Sequence, residues 1–303
     1  TGPVNLNLDT GGTILVQSAG SSDADDISFS SSIQDPAGGT ADQLELNSNG
    51  GGAAGGTGDV TVYGAVGNGT DDPAGFTISG GDQVDLSAVR VSAGFVDVSG
   101  GNIDLNSTSY QTTTDGSIRF NGPVDLDAGG AVLVQTPGTA TGPDTITFEG
   151  TIQDADNGDT LELNANGGTS GAGGQAVAVV GDIGDGAGND PAGFTVSGAA
   201  QVGLASVYVG DGALLVRGSN IDLNGAEYQI VGGAGGNDPM SFEGAVDLHA
   251  SVTVTGAGND GLGDEVSFSS TIDADLAANL RSLDVNAGAG NVSVGAAIGS
   301  AEE

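Results

Sequence analysis

The chain contains no cysteine, no tryptophan and no lysine, and it has only four arginines among its 303 residues. Without cysteine, no disulfide can hold the fold together. So few basic residues cannot neutralise a row of phosphates, which excludes nucleic acids and anionic membrane surfaces as partners. No run of about 18 apolar residues occurs, so the sequence predicts no membrane insertion.

Acidic residues and glycine dominate what is present. Asp and Glu total 40, which together with the four arginines gives a formal net charge of -36, and Gly contributes 58 residues. High net charge with few aromatics is typical of disordered chains. Apolar residues nonetheless alternate with polar ones throughout, as in Val4–Leu8, which predicts a folded β-rich chain. We expect the acidity to reflect either a high-salt habitat or bound divalent cations, because both relieve self-repulsion.

The strongest signal is internal duplication. Phe29 returns as Phe148 and Phe268, and Asn102 returns as Asn220, at spacings of about 120 residues. The sequence therefore predicts two whole units, 1–121 and 122–242, followed by part of a third, 243–303. No polar linker separates the copies. We expect them to share one continuous core, and the chain to be a processed form or a piece of a longer protein.

Short segments alternate apolar and polar residues between turn-formers such as Gly-Gly and Asn-Gly, which predicts strands with one inward face. No segment has an apolar stripe at helical spacing, and residues 275–282 form at most one helical turn. In the first unit the predicted strands are Thr13–Gln17, Ile27–Ile33, Leu44–Asn47, Val60–Val66, Phe76–Ser79, Val84–Val89, Phe95–Val98, Ile103–Leu105 and Ile118–Phe120.

The predicted fold class is all-β, specifically a parallel β-helix (β-solenoid) of tandem units of about 120 residues. Unbroken repetition and mid-sized inward residues suit turns stacked on one another. We expect about 20–24 residues per turn, and five or six turns per unit. Tandem β-sandwich domains are the alternative, because many short strands with Gly turns also build sandwiches.

Three segments carry a resemblance to a known family: residues 122–134, 220–229 and 241–248. They resemble the β-strand repeats of large bacterial surface exoproteins, the filamentous-haemagglutinin-like class. The resemblance is one of pattern and spans nearly the whole chain. It implies a secreted, extracellular β-helical protein at the cell surface, with no catalytic residues.

Acidic turns are the candidate metal ligands. Three carboxylates fall within four residues at 23–26, and Gly-Asn-Asp occurs at 188–190, 236–238 and 258–260. Residues 255–263 are similar to the calcium-binding nonapeptide of repeats-in-toxin proteins. Ca²⁺ takes six to eight oxygen ligands, which such turns supply; alternatively, these are solvated turn residues. The candidates are Asp23, Asp25, Asp26, Asp190, Asp238, Asn259, Asp260 and Asp264.

Catalysis is not predicted. The only histidine, His249, has no Ser-His-Asp arrangement around it in the sequence, and pairs of carboxylates are uninformative among 40 acids. Two of the four tyrosines, Tyr110 and Tyr228, occupy equivalent positions of the repeat and are interpreted as packing residues at the edge of the core, with glycan stacking as the alternative.

We therefore expect a structural component of an extracellular filament, matrix or surface layer, built by head-to-tail self-association or as part of a much longer chain. The alternative is a cell-surface adhesin that binds glycans or partner cells. A β-helical polysaccharide lyase or hydrolase is the remote alternative.

Overall fold

The computed structural model describes residues 2–6, 11–18, 26–36, 42–48, 58–92, 94–137, 144–156, 158–165, 175–232, 238–256, 264–275 and 280–299. These residues contain strands and turns but no helix, and so no helix among them is long and apolar enough to cross a membrane. The all-β prediction is confirmed. Thirty short strands follow from the alternation of the sequence: β1 (Val4–Asn5), β2 (Thr13–Gln17), β3 (Ile27–Phe29), β4 (Ile33–Gln34), β5 (Gln43–Asn47), β6 (Val60–Val62), β7 (Gly75–Gly80), β8 (Gln83–Leu86), β9 (Val89–Val91), β10 (Gly94–Ser99), β11 (Asn102–Leu105), β12 (Ser109–Thr112), β13 (Gly116–Asn121), β14 (Val124–Leu126), β15 (Ala131–Gln135), β16 (Thr145–Phe148), β17 (Ile152–Gln153), β18 (Thr160–Asn164), β19 (Ala176–Val179), β20 (Gly193–Gly198), β21 (Gln201–Leu204), β22 (Val207–Val209), β23 (Leu214–Leu223), β24 (Glu227–Ile230), β25 (Met240–Leu248), β26 (Val252–Thr255), β27 (Val266–Phe268), β28 (Ile272–Ala274), β29 (Leu283–Asn286) and β30 (Val292–Val294).

Every pairing between the described strands is parallel. We count as one segment each strand, each half of the long strands β23 and β25, and the single residues Val66 and Ile183. Counted in this way, each segment pairs with the segment three places further along the chain. Val66 and Ile183 each take the place of a strand in this order, through isolated parallel bridges. The pairings form three ladders. The first contains β2, β5, β7, β10, β13, β16, β19, β21, β23, β25 and β28.

The second ladder contains β3, β6, β8, β11, β14 and β17, and it continues through Ile183 into β22, β24, β26 and β29. The third contains β1 and β4, continues through Val66 into β9, and then includes β12, β15, β18, β20, β23, β25, β27 and β30. The long strands β23 and β25 each take part in two ladders, one with each half.

Register places like side chains over one another. Ile118 pairs with Ile146 and Phe120 with Phe148, so the first ladder crosses the expected boundary at 121/122 without a break. Most inward residues of the three ladders belong to one buried hydrophobic cluster that extends from Leu6 to Ala287. Each such side chain contributes about 1.5–3 kcal/mol through burial, and this hydrophobic effect is what holds the ladders together.

Aromatic rings stack inside this cluster at matching places in two units. The Phe120 and Phe148 ring centroids are 4.9 Å apart, and those of Phe242 and Phe268 are 5.1 Å apart. Tyr110 packs edge-on against Phe120 at 6.1 Å and is fully buried. Its hydroxyl donates to the Leu86 carbonyl at 2.9 Å, as that of the repeat-equivalent Tyr228 does to Leu204, also at 2.9 Å. These two tyrosines therefore pack in the core itself, not at its edge.

The sequence repeat and the ladder order are out of phase. The strands from β2 to β14, together with Val66, make fourteen segments before the pattern returns at β15. Fourteen is not a multiple of three, so equivalent strands fall in different ladders. Ile103 lies in the second ladder, whereas its equivalent Ile221 lies in the first.

Candidate functional site

Buried aspartates organise the turns between strands. Asp190 is 3% exposed, and its Oδ1 accepts hydrogen bonds from the backbone N–H of Asp185 at 2.8 Å and of Gly186 at 2.9 Å. The repeat-equivalent Asp72 accepts from the N–H groups of Asn68 and Gly69 at 2.9 and 2.6 Å. The backbone N–H groups of these turns have no carbonyl partner among the described residues, and the carboxylates accept their hydrogen bonds instead. Both aspartates therefore have a structural role.

Other buried aspartates link neighbouring strands of the ladders. Asp144 Oδ1 accepts from the Gly116 N–H at 2.7 Å, and the equivalent Asp264 accepts from the Asp238 N–H at 3.0 Å. Asp159 accepts from the N–H groups of three consecutive residues, 128 to 130. Some of the acidic residues therefore stabilise the fold by accepting backbone hydrogen bonds. The sequence of the turns does not distinguish these aspartates from solvent-exposed ones.

The predicted calcium ligands are distributed over several places. Asp23, Asp25, Asn259 and Asp260 lie outside the described residues. Asp26 accepts from the Asp59 N–H at 3.0 Å. Asp238 and Asp264 are brought together by a hydrogen bond, and Asp190 lies in a separate turn. In the described part of the chain, no group of three or more His, Asp or Glu side chains is placed to hold a metal ion. The calcium site stays a prediction.

The four arginines are each paired with carboxylates. Arg90 contacts Asp72 at 2.9 Å, and Arg217 contacts Glu243 at 2.6 Å. Arg119 lies between Asp97 and Glu149, and Arg281 lies 3.3 Å from Asp275. His249, the only histidine, is on an exposed bend with Asp222 and Asp275 at 3.8 and 3.9 Å, too far for a direct hydrogen bond.

Two columns of three stacked aspartates run along the outer surface. In the second ladder, Asp104 lies between Asp85 and Asp125. In the first ladder, Asp247 lies between Asp222 and Asp273. Such columns place like charges about 4.8 Å apart, the distance between neighbouring strands, which is unfavourable unless it is compensated.

Amide side chains compensate part of this repulsion. Gln83 Nε2 donates to Asp104 Oδ2 at 2.5 Å and to Asp85 Oδ1 at 3.2 Å, and Asn102 Nδ2 donates to Asp104 Oδ1 at 2.7 Å. Burial nevertheless raises the pKa of Asp104, and the charges of Asp85 and Asp125 raise it further. Burial likewise raises the pKa of Asp125.

A groove of about 430 Å³ opens beside the first of these columns. It is lined by Val62, Tyr63, Asp85, Ser87, Asp104, Asn106 and Asp127, and we call it the Tyr63 groove. Tyr63, Ser87, Asn106 and Asp127 each directly follow a strand of the second ladder. Each of the last three donates its backbone N–H to the strand before, at 2.9–3.1 Å, so these four residues form a second column parallel to the aspartates.

Comparison with protein-family models, with curated proteins and with solved structures finds no match to this chain.

Acidification is expected to stabilise the protein before it destabilises it. The raised pKa values of Asp104 and Asp125 mean that the folded state binds protons more readily than the unfolded one, so their charge penalty is relieved as pH falls. Arg217 lowers the pKa of Glu243, a stabilisation that is present above the usual value of 4.5 and lost as pH falls through the lowered value. The melting temperature should therefore rise by a few degrees as the pH falls from neutral towards the usual aspartate value of 3.8, and it should fall at lower pH as Glu243 is protonated and loses its ion pair.

Circular dichroism melting over a pH series at constant ionic strength measures this effect. The Asp104→Asn, Asp125→Asn double variant should show a smaller rise. A melting temperature that falls steadily from neutral pH downwards would contradict the prediction.

Proposed function

We propose that the chain is a non-enzymatic structural component of an extracellular filament, matrix or surface layer. In this proposal the polypeptide winds as a parallel β-helix with three strand segments per turn. The observation that carries it is the pairing of every third segment in parallel, without a break at residues 121/122. Sandwiches are built of antiparallel sheets, a pairing that none of the described strands shows.

The winding gives each unit between four and five turns, since fourteen segments are shared among three ladders. This is fewer than the five or six turns expected from the sequence, because loops lengthen some turns: Leu44 pairs with Phe76, 32 positions on. The ten steps from β2 to β28 would span about 48 Å at 4.8 Å per step. A rod of this kind continues the tandem units 1–121, 122–242 and 243–303 along one axis.

End-to-end association is supported by the outermost strands. Val292 and Val294 occupy the register positions of the buried Val266 and Phe268, yet they are 49% and 38% exposed. Among the described strands, β30 pairs with β27 alone. An open parallel edge with apolar side chains beside it is a template for another strand. A second copy or the continuing chain would add its own strand there.

The acidity and the resemblance to filamentous-haemagglutinin-like exoproteins support an extracellular location. Carboxylates that are repeated on successive turns repel one another in dilute solution, and salt or divalent cations screen this repulsion. Within the proposal, calcium would act as such a counter-ion between turns or between rods.

Sedimentation velocity and electron microscopy across a concentration series test the proposal. The wild-type chain should form rods that lengthen with concentration, because β1 and β30 each pair with only one other described strand, which leaves one edge of each strand available. The Val294→Lys variant places a charge on the apolar part of the end and should stop growth. Ser293→Lys is the matched control, since it adds the same charge on the same strand, one position away and therefore on the opposite face. A monomer at all concentrations, or equal growth of both variants, would contradict end-to-end assembly.

A cell-surface adhesin is the second candidate function. One observation favours it: the Tyr63 groove combines an exposed aromatic ring with polar side chains on the outer surface.

A further inference from the structure

We propose that the Tyr63 groove binds an oligosaccharide that carries free amino groups. One sugar ring would pack its apolar face on Tyr63, and an ammonium group would lie among the carboxylates of Asp85, Asp104 and Asp127. This site goes beyond the structural role, and it does not depend on it, because all its residues come from one chain.

The aromatic ring is the first observation. Tyr63 is 70% exposed, although its backbone N–H is fixed in the second ladder by a bond to the Phe29 carbonyl at 2.9 Å. An exposed ring held at one end of a groove offers a flat apolar surface without any ordering of the backbone. The equivalent residue of the next unit, Val180, is 61% exposed and has no ring. The position itself therefore tolerates a small side chain, and the fold does not require the tyrosine.

Charge is the second observation. Three of the seven lining residues are aspartates and none is basic, while every arginine of the chain is paired elsewhere. Carboxylates alone would not mark a ligand site in a chain with 40 acidic residues. Here they share a groove with an exposed ring, which places a flat apolar surface beside the charges. Because burial and neighbouring charges raise the pKa of Asp104, a bound ammonium group would also relieve repulsion within the column.

The neutral polar residues distinguish a sugar from a simple polyamine. Ser87 and Asn106 stand between Tyr63 and Asp127 in the same column, so a donor or acceptor is available at each turn, about 4.8 Å apart. A polyamine would use only the carboxylates and would leave the ring, the hydroxyl and the amide without a role. A sugar with hydroxyl groups, an apolar ring face and an amine uses all of them.

Calorimetric titration of the wild-type chain with a glucosamine tetramer tests the site, with the N-acetylated tetramer and spermine as comparison ligands. The glucosamine tetramer should bind, and its N-acetylated form should bind about tenfold more weakly because it lacks the ammonium groups. Tyr63→Val should weaken binding of the glucosamine tetramer about fivefold and leave spermine unchanged.

One control variant and one further variant of the site complete the test. Val180→Ala alters the equivalent position of the next unit and should change neither affinity nor melting temperature. Asp127→Asn should weaken the glucosamine tetramer about fivefold at constant ionic strength. The proposal is overturned if the tetramer does not bind, if Tyr63→Val binds it as wild type does, or if spermine depends equally on Tyr63. None of these outcomes bears on filament growth, which is measured separately.

Discussion

Replacing Phe148 with alanine is expected to lower the free energy of unfolding by about 3–5 kcal/mol. Phe148 is fully buried, stacks on Phe120 at 4.9 Å and lies in register between Phe120 and Val179. Alanine would remove the ring and leave a cavity in the middle of a column. The neighbouring strands β13 and β19 cannot close this cavity, because the hydrogen bonds of the ladder fix their spacing.

Urea unfolding followed by circular dichroism measures the loss. Phe95→Ala is the matched control, because Phe95 lies on the outward side of β10 and is 38% exposed. That substitution should cost less than about 1 kcal/mol. Equal effects of the two substitutions would show that the inward column is not the source of stability.

Replacing Gly181 with alanine is expected to destabilise the protein by about 2–3 kcal/mol. A Cβ atom at position 181 would lie 2.3 Å from the backbone carbonyl carbon of Gly150 and 2.5 Å from the Thr151 nitrogen. Backbone of the preceding turn cannot move away without breaking the hydrogen bonds on both sides of it, such as that from Val180 N–H to the Phe148 carbonyl at 2.9 Å.

Gly158→Ala is the control and should have the opposite sign. Nothing lies within 4 Å of a Cβ atom at position 158, so alanine there should stabilise by about 0.4–1 kcal/mol through the unfolded state. Thermal and urea unfolding of the two variants compare these effects directly. If Gly181→Ala were as stable as wild type, the close approach of the two turns would not exist in solution.

Strand positions were predictable where apolar and polar residues alternate strictly. β2 has the predicted limits Thr13–Gln17, and β11 and β13 contain the predicted Ile103–Leu105 and Ile118–Phe120. The segment 27–33 was predicted as one strand, but it holds two short strands, β3 and β4, that belong to different ladders. Alternation continues through such a corner, because the chain keeps one side inward while it changes direction.

Strands with polar sequences were harder to predict. β12 has the sequence Ser-Tyr-Gln-Thr and was missed, since its only large apolar surface is the ring of Tyr110. The ring is buried because its hydroxyl finds a carbonyl of the neighbouring turn, a partner that only the folded ladder supplies.

The candidate site was predictable only in part. Acidic turns were recognised as unusual, but a sequence does not show whether a carboxylate faces solvent or accepts backbone N–H groups, as those of Asp159 and Asp190 do. The Tyr63 groove was not predicted at all. Its members lie up to 65 positions apart, from Val62 to Asp127, and meet only through the register of the second ladder.

The mismatch between fourteen segments and three ladders governs how a longer array would meet its surroundings. Tyr63 follows a strand of the second ladder, and its counterpart Val180 follows a strand of the first, so in the proposed β-helix each unit would be turned by one third of a revolution relative to the one before. A feature present once per unit would return to the same side only after three units, or fourteen turns, about 67 Å along the axis at 4.8 Å per turn. Such a rod would present the repeated feature on three sides. If that feature binds a neighbouring rod, the rods would cross-link into a three-dimensional network and not into a flat layer.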